Sequence, residues 1–509
     1  MNMDTLLQYQ WGSMMPEFTI LLTAIALSLL DLFMKRERDR TLLAWLSLAG
    51  IGTAIVCLVL QFDNGVVSIL NETYRLDSFA KAFKLLMLIG TGFVLLLGLP
   101  SADDLVEVRG EYYYLLLTAL LGGMMMASSA DLITLFVGLE LLSLSSYILV
   151  GIRKTNAFAN EAAFKYVVNG GIATAITLFG MSYLYGLTGE TNIYEIQGLM
   201  ASDVVTENRY LAVFSFLMIF FGLAFKITAA PFHMWAPDVY QGAETPITAF
   251  LSVVSKMAGF AIMLRILMVP FVFAPGTGKI ITPEGISYET LLVSVRPYLV
   301  LVVVLTILIG NVIALRQLNA KRLFAYSSIA HAGYLLVPFA ALSELVFDAV
   351  WFYLVAYLLM NLGAFAVIHA LSEEKEEVTL ASFAGLFKRS PYLTIAMTIY
   401  LLSLAGIPLT AGFIGKFEIF MSALGTEPKR YILSIAMLFG TVLSYIYYFG
   451  FLVQMYFRPS EKKLPINTSN GITAVLAITA AGTVLLGIFP SIALTFIHDH
   501  FQFLEIFNR

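Results

Sequence analysis

Two lysines lie inside stretches of this sequence that are otherwise apolar enough to be buried in a lipid bilayer. Lys226 and Lys256 enclose a segment with three prolines, a tryptophan, a histidine and a polar stretch from Asp238 to Glu244. An ammonium group at membrane depth costs about 2.5–3.5 kcal/mol on insertion scales, and such charges mark ion pathways. Prolines free backbone carbonyls that only protein or water can satisfy. We therefore interpret residues 222–256 as half of a path for protons.

A carboxylate that could serve Lys226 lies in an earlier apolar run. Glu140 stands nine residues into the run 131–152, near the middle of the membrane. Burial favours the neutral amine of a lysine, whereas a carboxylate beside it favours the ammonium. A lysine balanced between the two can gain and lose a proton when its partner moves, so Glu140 is predicted to pair with Lys226 and control it. The alternative is a protonated carboxyl that only packs helices.

Two further groups follow in the second half of the chain. Lys416 comes directly after the break in LAGIPLTAGFIGK, where glycines and a proline expose the backbone. His331 lies in LFAYSSIAHAGYLL, one turn after Ser327 and Ser328. Histidine titrates near neutral pH in water, which suits a relay between lysines. For His331 the alternative is a helix-packing hydrogen bond, and for the lysines it is snorkelling of the ammonium to the surface.

Other polar residues have less specific interpretations. Lys165 begins the run 162–187, four residues after Glu161, so it belongs either to the proton path or to an ordinary ion pair on a helix surface. Arg265 is near the outer end of its run and is expected to be an anchor at the membrane surface. Three residues are expected to line the entry from the cytoplasm: His233, Asp238 and Glu244. Tyr357 and Asn361 are expected to hold water.

The composition indicates that membrane helices position these groups. The 509 residues are 59% hydrophobic and 13% charged, with a mean hydropathy of +0.84, which is typical of an all-α polytopic membrane protein. Apolar runs of roughly 20 residues predict about fourteen spans: 17–34, 41–61, 78–99, 112–128, 131–152, 162–187, 210–242, 246–268, 291–315, 322–341, 346–370, 391–424, 430–457 and 471–497.

The composition also argues against several kinds of site. A single cysteine, Cys57, rules out a disulfide framework, a cysteine-rich zinc site and a cysteine-ligated iron–sulfur cluster. No two of the five histidines pair at helical spacing within a span, which argues against a bis-histidine haem. The net charge of −4 and the lack of a basic block give no sign of a nucleic-acid partner. We expect no metal or cofactor to bind to this chain.

Two of the runs are too long for one straight helix. Residues 210–242 and 391–424 would each reach about 50 Å at 1.5 Å per residue, against a bilayer core of about 30 Å. Pro231 and Pro237 are expected to interrupt the first run, and Pro408 with its neighbouring glycines the second. Broken helices at the fourth place of two successive sets of five spans predict an inverted repeat around an ion site.

The predicted organisation has four parts, an N-terminal three-helix segment (1–111), two five-helix repeats (112–270 and 271–457) and a C-terminal helix (458–509). Loops rich in lysine and arginine face the cytoplasm, so we expect both termini to face outward. Every second loop is the richer in basic residues, and these loops contain the following: Lys35, Arg36, Arg38 and Arg40; Arg109; Arg153 and Lys154; Arg316, Lys321 and Arg322; Lys375, Lys388 and Arg389; and Arg458, Lys462 and Lys463.

In these motifs the sequence resembles the antiporter-like membrane subunits of respiratory complex I. The resemblance rests on PFHMWAPDVYQGAETPITAFLSVVSKMAGF, LFAYSSIAHAGYLL and LLSLAGIPLTAGFIGKF, which follow in the family's order within residues 112–457. It implies a fold of fourteen helices with two inverted five-helix repeats. The family's channel residues match Glu140, Lys226, Lys256 and Lys416 of this sequence. Two polar positions associated with the channel match His331 and Lys165.

The resemblance also implies a function. Such a chain would translocate protons as a subunit of an NADH:quinone oxidoreductase in a bacterial inner membrane, among other membrane-arm subunits. NADH, FMN, iron–sulfur clusters and quinone would bind to partner subunits, because this sequence lacks nucleotide-binding motifs. The alternatives are a subunit of a multisubunit Na⁺/H⁺ antiporter and a scaffold subunit that conducts nothing. One departure is Glu244, where the family usually has proline.

Overall fold

The computed structural model describes residues 9–34, 40–99, 109–282, 285–372, 377–460, 466 and 468–508. Some of the basic residues that predict the orientation lie outside these ranges: Lys35, Arg36, Arg38, Lys375, Lys462 and Lys463.

The first half of the described residues includes two long helices, a short hairpin and a third long helix in this order. The hairpin strands are antiparallel, with Val67 opposite Leu76. Asp77 caps the third helix, where its side chain accepts a hydrogen bond from Ala80 N, as is usual for aspartate at this position. The elements up to residue 268 are α1 (Met15–Phe33), α2 (Thr41–Val59), β1 (Val67–Ile69), β2 (Tyr74–Leu76), α3 (Ser78–Gly98), α4 (Arg109–Ser128), α5 (Leu132–Val150), α6 (Ala157–Thr188), α7 (Ile193–Leu199), α8 (Asp203–Glu207), α9 (Arg209–Lys226), α10 (Trp235–Gly242), α11 (Thr245–Ser252) and α12 (Val254–Met268).

A second antiparallel hairpin leads into the remaining helices. Neither hairpin was predicted, because short strands between apolar runs leave no signal in a search for spans. Short 3₁₀ helices lie at Trp11–Met14, Leu380–Phe383 and Phe503–Phe507. The other elements are β3 (Pro275–Thr282), β4 (Gly285–Thr290), α13 (Leu291–Ala314), α14 (Ala320–Ala341), α15 (Val346–Ser372), α16 (Leu386–Arg389), α17 (Pro391–Ala405), α18 (Ala411–Leu424), α19 (Tyr431–Phe457), α20 (Asn470–Ile488) and α21 (Ser491–His500).

Twelve helices among the described residues are long and apolar enough to cross a membrane. The predicted all-α polytopic membrane fold is therefore confirmed, whereas the exact count of fourteen stays a prediction. The last predicted span, 471–497, was wrong in extent. It divides into α20 and α21 at Pro490, since proline cannot continue the hydrogen bonding of the preceding helix.

Both predicted discontinuous helices are present. The breaks span residues 227–234, between α9 and α10, and residues 406–410, between α17 and α18. Gly406 turns the chain with a φ of +83°, which glycine adopts at no steric cost. Pro237 and Gly412 were expected to break the helices, but both lie inside the helix that follows. Pro237 is tolerated because the amides of a first helical turn have no partner within the helix.

Burial divides the helices into a centre and an outer ring. In the most apolar 18-residue stretch of each helix, 100% of the residues are buried in α11–α12, 94% in α14 and 89% in α15. The share is only 22% in α1, taken together with the 3₁₀ turn before it, and 33% in α6. The outer helices expose large apolar side chains such as Leu22 and Phe164, which suit contact with lipid. The central helices carry Lys256 and His331, so the fold places these two groups away from lipid.

Candidate functional site

Lys226 is the last residue of α9, where the first broken helix stops. Its side chain is buried, and its Nζ donates a hydrogen bond to Ser143 Oγ at 3.2 Å. It forms no direct ion pair with Glu140, whose Oε1 is buried without a hydrogen-bond partner among the described residues. Glu140 lies one turn before Ser143 on α5 and acts on Lys226 electrostatically. In this structure the serine therefore occupies the place that we expected for the carboxylate.

The backbone freed by the first break is satisfied inside the protein. Trp235 Nε1 donates to the carbonyl of Phe225 at 3.1 Å. The amide of Ala230, inside the break, donates to Thr306 Oγ1 on α13 at 2.9 Å. These bonds meet the requirement that irregular backbone at membrane depth be buried in protein, and they fix the end of α9 that carries Lys226.

Lys256 lies on α12, which packs against Lys226 at Gly259. A side chain at Gly259, one turn after Lys256, would meet Lys226 Cγ at 3.2 Å. The Lys256 ammonium donates to the carbonyl oxygen of Ser328 at 2.5 Å and to its Oγ at 2.6 Å. Tyr357 donates to the same Oγ at 2.9 Å. Lys256 is thus attached to α14 and α15 through one serine.

His331 follows Ser328 by one turn on α14 and is surrounded by tyrosines. Its Nδ1 lies 2.5 Å from Tyr353 Oη, and its Nε2 lies 3.2 Å from Tyr448 Oη. Tyr448 Oη also contacts Ser327 Oγ at 2.5 Å. A hydroxyl can both donate and accept a hydrogen bond, so a proton can reach or leave this imidazole on either side.

The ammonium of Lys416 is hydrogen-bonded to backbone carbonyls at the second break. Its Nζ donates to the carbonyls of Leu404 at 2.8 Å and Ala405 at 3.2 Å, in the last turn of α17. Such carbonyls have no partner within their helix and carry the negative end of its dipole. The ammonium also lies 5.0 Å from the ring centre of Tyr334. The break therefore stabilises a cation without a carboxylate.

Tyr353 connects His331 to the helix of Lys416. While its hydroxyl contacts His331, its ring lies so close to Gly415 that a Cβ there would meet Tyr353 Cδ2 at 2.6 Å. Lys256 and Lys416 both act electrostatically on His331. The structure thus places Lys226, Lys256, His331 and Lys416 along one buried row, which we call the lysine row.

Lys165 is partly exposed, unlike the four buried groups of this row. Its side chain is 40% exposed, and its Nζ is 2.7 Å from a carboxylate oxygen of both Glu161 and Asp238. Asp238 also accepts from Arg322 at 2.6 Å. The ordinary surface pair with Glu161 is therefore present, and Asp238 extends it from α6 to α10 and α14.

Three buried ion pairs among the described residues were not predicted, and two of them share Asp77, which also lies 3.5 Å from Arg75 Nε. Arg265 is fully buried, and its Nη2 donates to the two carboxylate oxygens of Asp77 at 2.7 and 2.9 Å. The expectation of a surface anchor was wrong, because α12 is enclosed on all sides. Lys84 Nζ lies 2.5 Å from Glu17 Oε1, and both side chains are buried. A lysine seven residues inside the predicted span 78–99 was the signal that could have indicated this pair.

Comparison with known proteins identifies the family. A family profile described as "NADH:quinone oxidoreductase/Mrp antiporter, TM" matches residues 129–444. Over 505 residues the chain is 55% identical to NADH-quinone oxidoreductase subunit N of Anoxybacillus flavithermus, covering 99% of both chains. The chain belongs to the subunit N family. The resemblance of its motifs to antiporter-like subunits of complex I is thereby confirmed.

Solved structures agree with membership of the subunit N family. A chain of respiratory complex I from Thermus thermophilus with bound aureothin superimposes with a TM-score of 0.77 at 30% identity, covering 94% of this chain and 99% of that one. A chain of the Mrp complex from Dietzia sp. gives a TM-score of 0.79 at 20% identity, covering 95% and 96%, which is a likeness of fold alone. Like other subunit N proteins, this chain is a multi-pass bacterial membrane protein.

Proposed function

We propose that this chain translocates protons as subunit N of an NADH:quinone oxidoreductase, and that the protons pass along the lysine row. The observation that supports this proposal most is the kind of partner that each basic group has. All four are buried, and each is held by hydroxyl or carbonyl oxygens rather than by a carboxylate. A carboxylate in direct contact would hold the proton on a base, so groups that contact only neutral oxygens can each accept a proton and release it again.

The order of transfer follows the contacts. A proton reaches Lys226 from the cytoplasmic side, then Lys256 across the contact at Gly259. The hydroxyl of Ser328 and the tyrosines around His331 continue the route on α14. Tyr353 and Tyr334 then approach Lys416, from which the proton leaves outward. Bound water completes the links between groups that are not in direct contact.

Glu140 controls the first step in this proposal. In the structure Lys226 contacts Ser143, one turn from Glu140 on the same helix. Moving the ammonium from the hydroxyl to the carboxylate would retain its proton, and moving it back would favour release.

The energy for transport comes from partner subunits. Moving one charge against 100 mV costs about 2.3 kcal/mol. Oxidation of NADH by quinone supplies it, through FMN and iron–sulfur clusters that other subunits of the enzyme bind. This chain works in the membrane arm of that enzyme, in the bacterial cell membrane, and contacts other membrane-arm subunits.

The test is NADH-driven proton uptake by the purified complex in proteoliposomes. We expect this subunit's contribution to the proton uptake of the complex to be lost in each of three variants, Lys226→Met, Lys256→Met and Lys416→Met. Lys388→Met removes an exposed lysine and serves as the matched control. Subunit content of each purified complex is measured first. Full proton uptake in an assembled Lys256→Met complex would refute the proposal and favour a scaffold role.

A second assay addresses sodium. Vesicles that contain the complex receive a sodium gradient without NADH or quinone, and the internal pH is followed. The proposal predicts no proton movement that depends on Lys256. Sodium-driven proton exchange that Lys256→Met abolishes would instead support an antiporter.

A further inference from the structure

A cavity of about 530 Å³ lies where two membrane helices begin. Tyr392 Oη, in the first turn of α17, lies 2.8 Å from Thr468 Oγ1, two residues before the start of α20. Eight residues further along both segments, Tyr400 Oη donates to the carbonyl of Leu476 at 2.8 Å. The helices α17 and α20 therefore run in parallel, and residues of both first turns line the cavity.

The charge around this cavity is suited to an anion. The amides of a first turn give the N-terminus of a helix a partial positive charge, and α17 and α20 have 15 and 19 residues. Arg389 also lines the cavity, and a guanidinium carries five donors in a planar arrangement. No carboxylate is among the described residues that line it. A phosphate group is the kind of anion that such a lining stabilises.

Ser390 lines the same cavity and has an unsatisfied hydroxyl group. The residue is 2% exposed, and its Oγ has no hydrogen-bond partner among the described residues. Ser390 stands at the N-cap of α17, where serine usually accepts from a first-turn amide, but no side chain caps this helix. At α20, by contrast, Ser469 Oγ accepts from Ile472 N at 3.2 Å. Because buried polar groups nearly always have a partner, this hydroxyl and the uncapped turn beside it indicate a ligand.

An apolar stripe leads from the cavity along the outer face of the bundle. Tyr392 and Ile395, one turn apart on α17, are 44% and 52% exposed. Tyr456 of α19 borders the stripe one turn further on, where its hydroxyl lies 3.1 Å from Thr398 Oγ1. Tyrosine is enriched where membrane and water meet. The cavity therefore lies at the depth of lipid head groups, and the stripe lies at the depth of acyl chains.

We propose that this cavity binds the phosphate group of an anionic phospholipid whose acyl chains lie along the stripe. The phosphate accepts hydrogen bonds from the uncapped first turn of α17, which includes Ser390, and from Arg389. The hydroxyls of Tyr392, Thr468 and Thr473 form a chain with separations of 2.8 and 3.0 Å and bind the glycerol part of the head group. An ammonium head group would find no carboxylate in this lining, which favours an anionic lipid.

Photo-crosslinking to the purified, delipidated complex tests the site. The probe is phosphatidylglycerol with a diazirine in one acyl chain, and labelled peptides are identified by mass spectrometry. Label is expected around Tyr392 and Ile395, and it is measured relative to label around Leu301, an exposed residue of α13 that does not line the cavity. Unlabelled phosphatidylglycerol should reduce this ratio at least five-fold, and an unchanged ratio would refute the site.

Two other competitors distinguish a lipid from the alternatives. Inorganic phosphate is expected to leave the ratio unchanged. If it competes as well as phosphatidylglycerol does, the cavity binds a soluble phosphate and the lipid assignment is wrong. Diacylglycerol, which has acyl chains but no phosphate, is also expected to leave the ratio unchanged. If it competes equally well, the contact is only apolar and the phosphate site is refuted.

Variants then assign the binding to the lining of the cavity. Arg389→Gln combined with Thr473→Val removes one charge and one hydroxyl, and it is expected to reduce labelling at least five-fold. Lys388→Gln removes the neighbouring exposed charge, which does not line the cavity, and should leave labelling unchanged. Equal labelling of the two assembled complexes would refute the site. If the double variant does not assemble, the competition on the unaltered complex still tests the site. Proton uptake is not measured here, so loss of this site would leave the proposed function intact.

Discussion

Lys256 and Ser328 are joined twice, since the lysine Nζ donates to the serine carbonyl at 2.5 Å and to the serine hydroxyl at 2.6 Å. The same hydroxyl accepts from Tyr357. One small residue therefore connects α12, α14 and α15, the three helices of the buried centre.

Ser328→Ala is expected to slow proton uptake about ten-fold. The carbonyl contact remains, but Lys256 and Tyr357 lose the hydroxyl that they share. A hydrogen bond to a charged group contributes about 1.5–3 kcal/mol, and 1.36 kcal/mol corresponds to a factor of ten. NADH-driven uptake in proteoliposomes measures the change. Ser328→Thr keeps the hydroxyl and is the control; an alanine variant as fast as the threonine variant would contradict the assignment.

Gly406→Ala is expected to displace Lys416 and to destabilise the complex. The φ of Gly406 is +83°, and an added Cβ would lie 2.9 Å from Lys416 Cδ. The left-handed conformation alone costs a residue with a Cβ about 1–2 kcal/mol. Proton uptake and the rate of thermal inactivation should both worsen. Gly186→Ala, where nothing lies within 4 Å of the new Cβ, is the matched control. The prediction fails if the two variants behave alike.

Asp77→Asn is expected to reduce assembly of the subunit into the enzyme. The change leaves the guanidinium of Arg265 fully buried without its carboxylate, and breaking a buried pair on one side costs about 3–5 kcal/mol. Glu161→Gln breaks a pair that is 40–60% exposed, which is worth about 0.2–1 kcal/mol. The amount of subunit in purified complex should fall clearly only for Asp77→Asn. Normal assembly of that variant would show that Arg265 does not need its partner.

Lys165→Met is expected to slow proton uptake less than five-fold, against complete loss for Lys256→Met. The side chain of Lys165 is 40% exposed and pairs with two carboxylates, so water and salt screen it. Uptake is measured for both variants at equal subunit content, with Asp238→Asn as a third variant that removes the shared partner. A loss as severe as that of Lys256→Met would place Lys165 in the path itself.

The sequence predicted the parts of the site that depend on local pattern. Apolar run length gave the positions of the helices, and prolines with glycines gave the two breaks. The buried lysines were recognisable because a charge inside an apolar run is rare. The tyrosines around His331 were missed, since a tyrosine in such a run also fits an ordinary core. The Asp77–Arg265 pair was missed because its members are 188 residues apart.

The first step of the path shows another limit of sequence. Glu140 and Lys226 were expected to be in contact, yet Lys226 contacts Ser143. Glu140 and Ser143 lie one turn apart on α5, so both oxygens face the same neighbour. Which of them a lysine contacts depends on its rotamer and on the packing around it, and these are properties of the assembled helices.

The enclosure of α11–α12 by other helices on all sides has an electrical consequence. Lipid does not touch this part of the bundle, so the transmembrane voltage there falls across protein rather than across hydrocarbon. The distance to water on each face then sets the fraction of the voltage that a proton crosses at each step. Changes in bilayer thickness or head groups, which act on the peripheral helices, should leave that fraction largely unchanged.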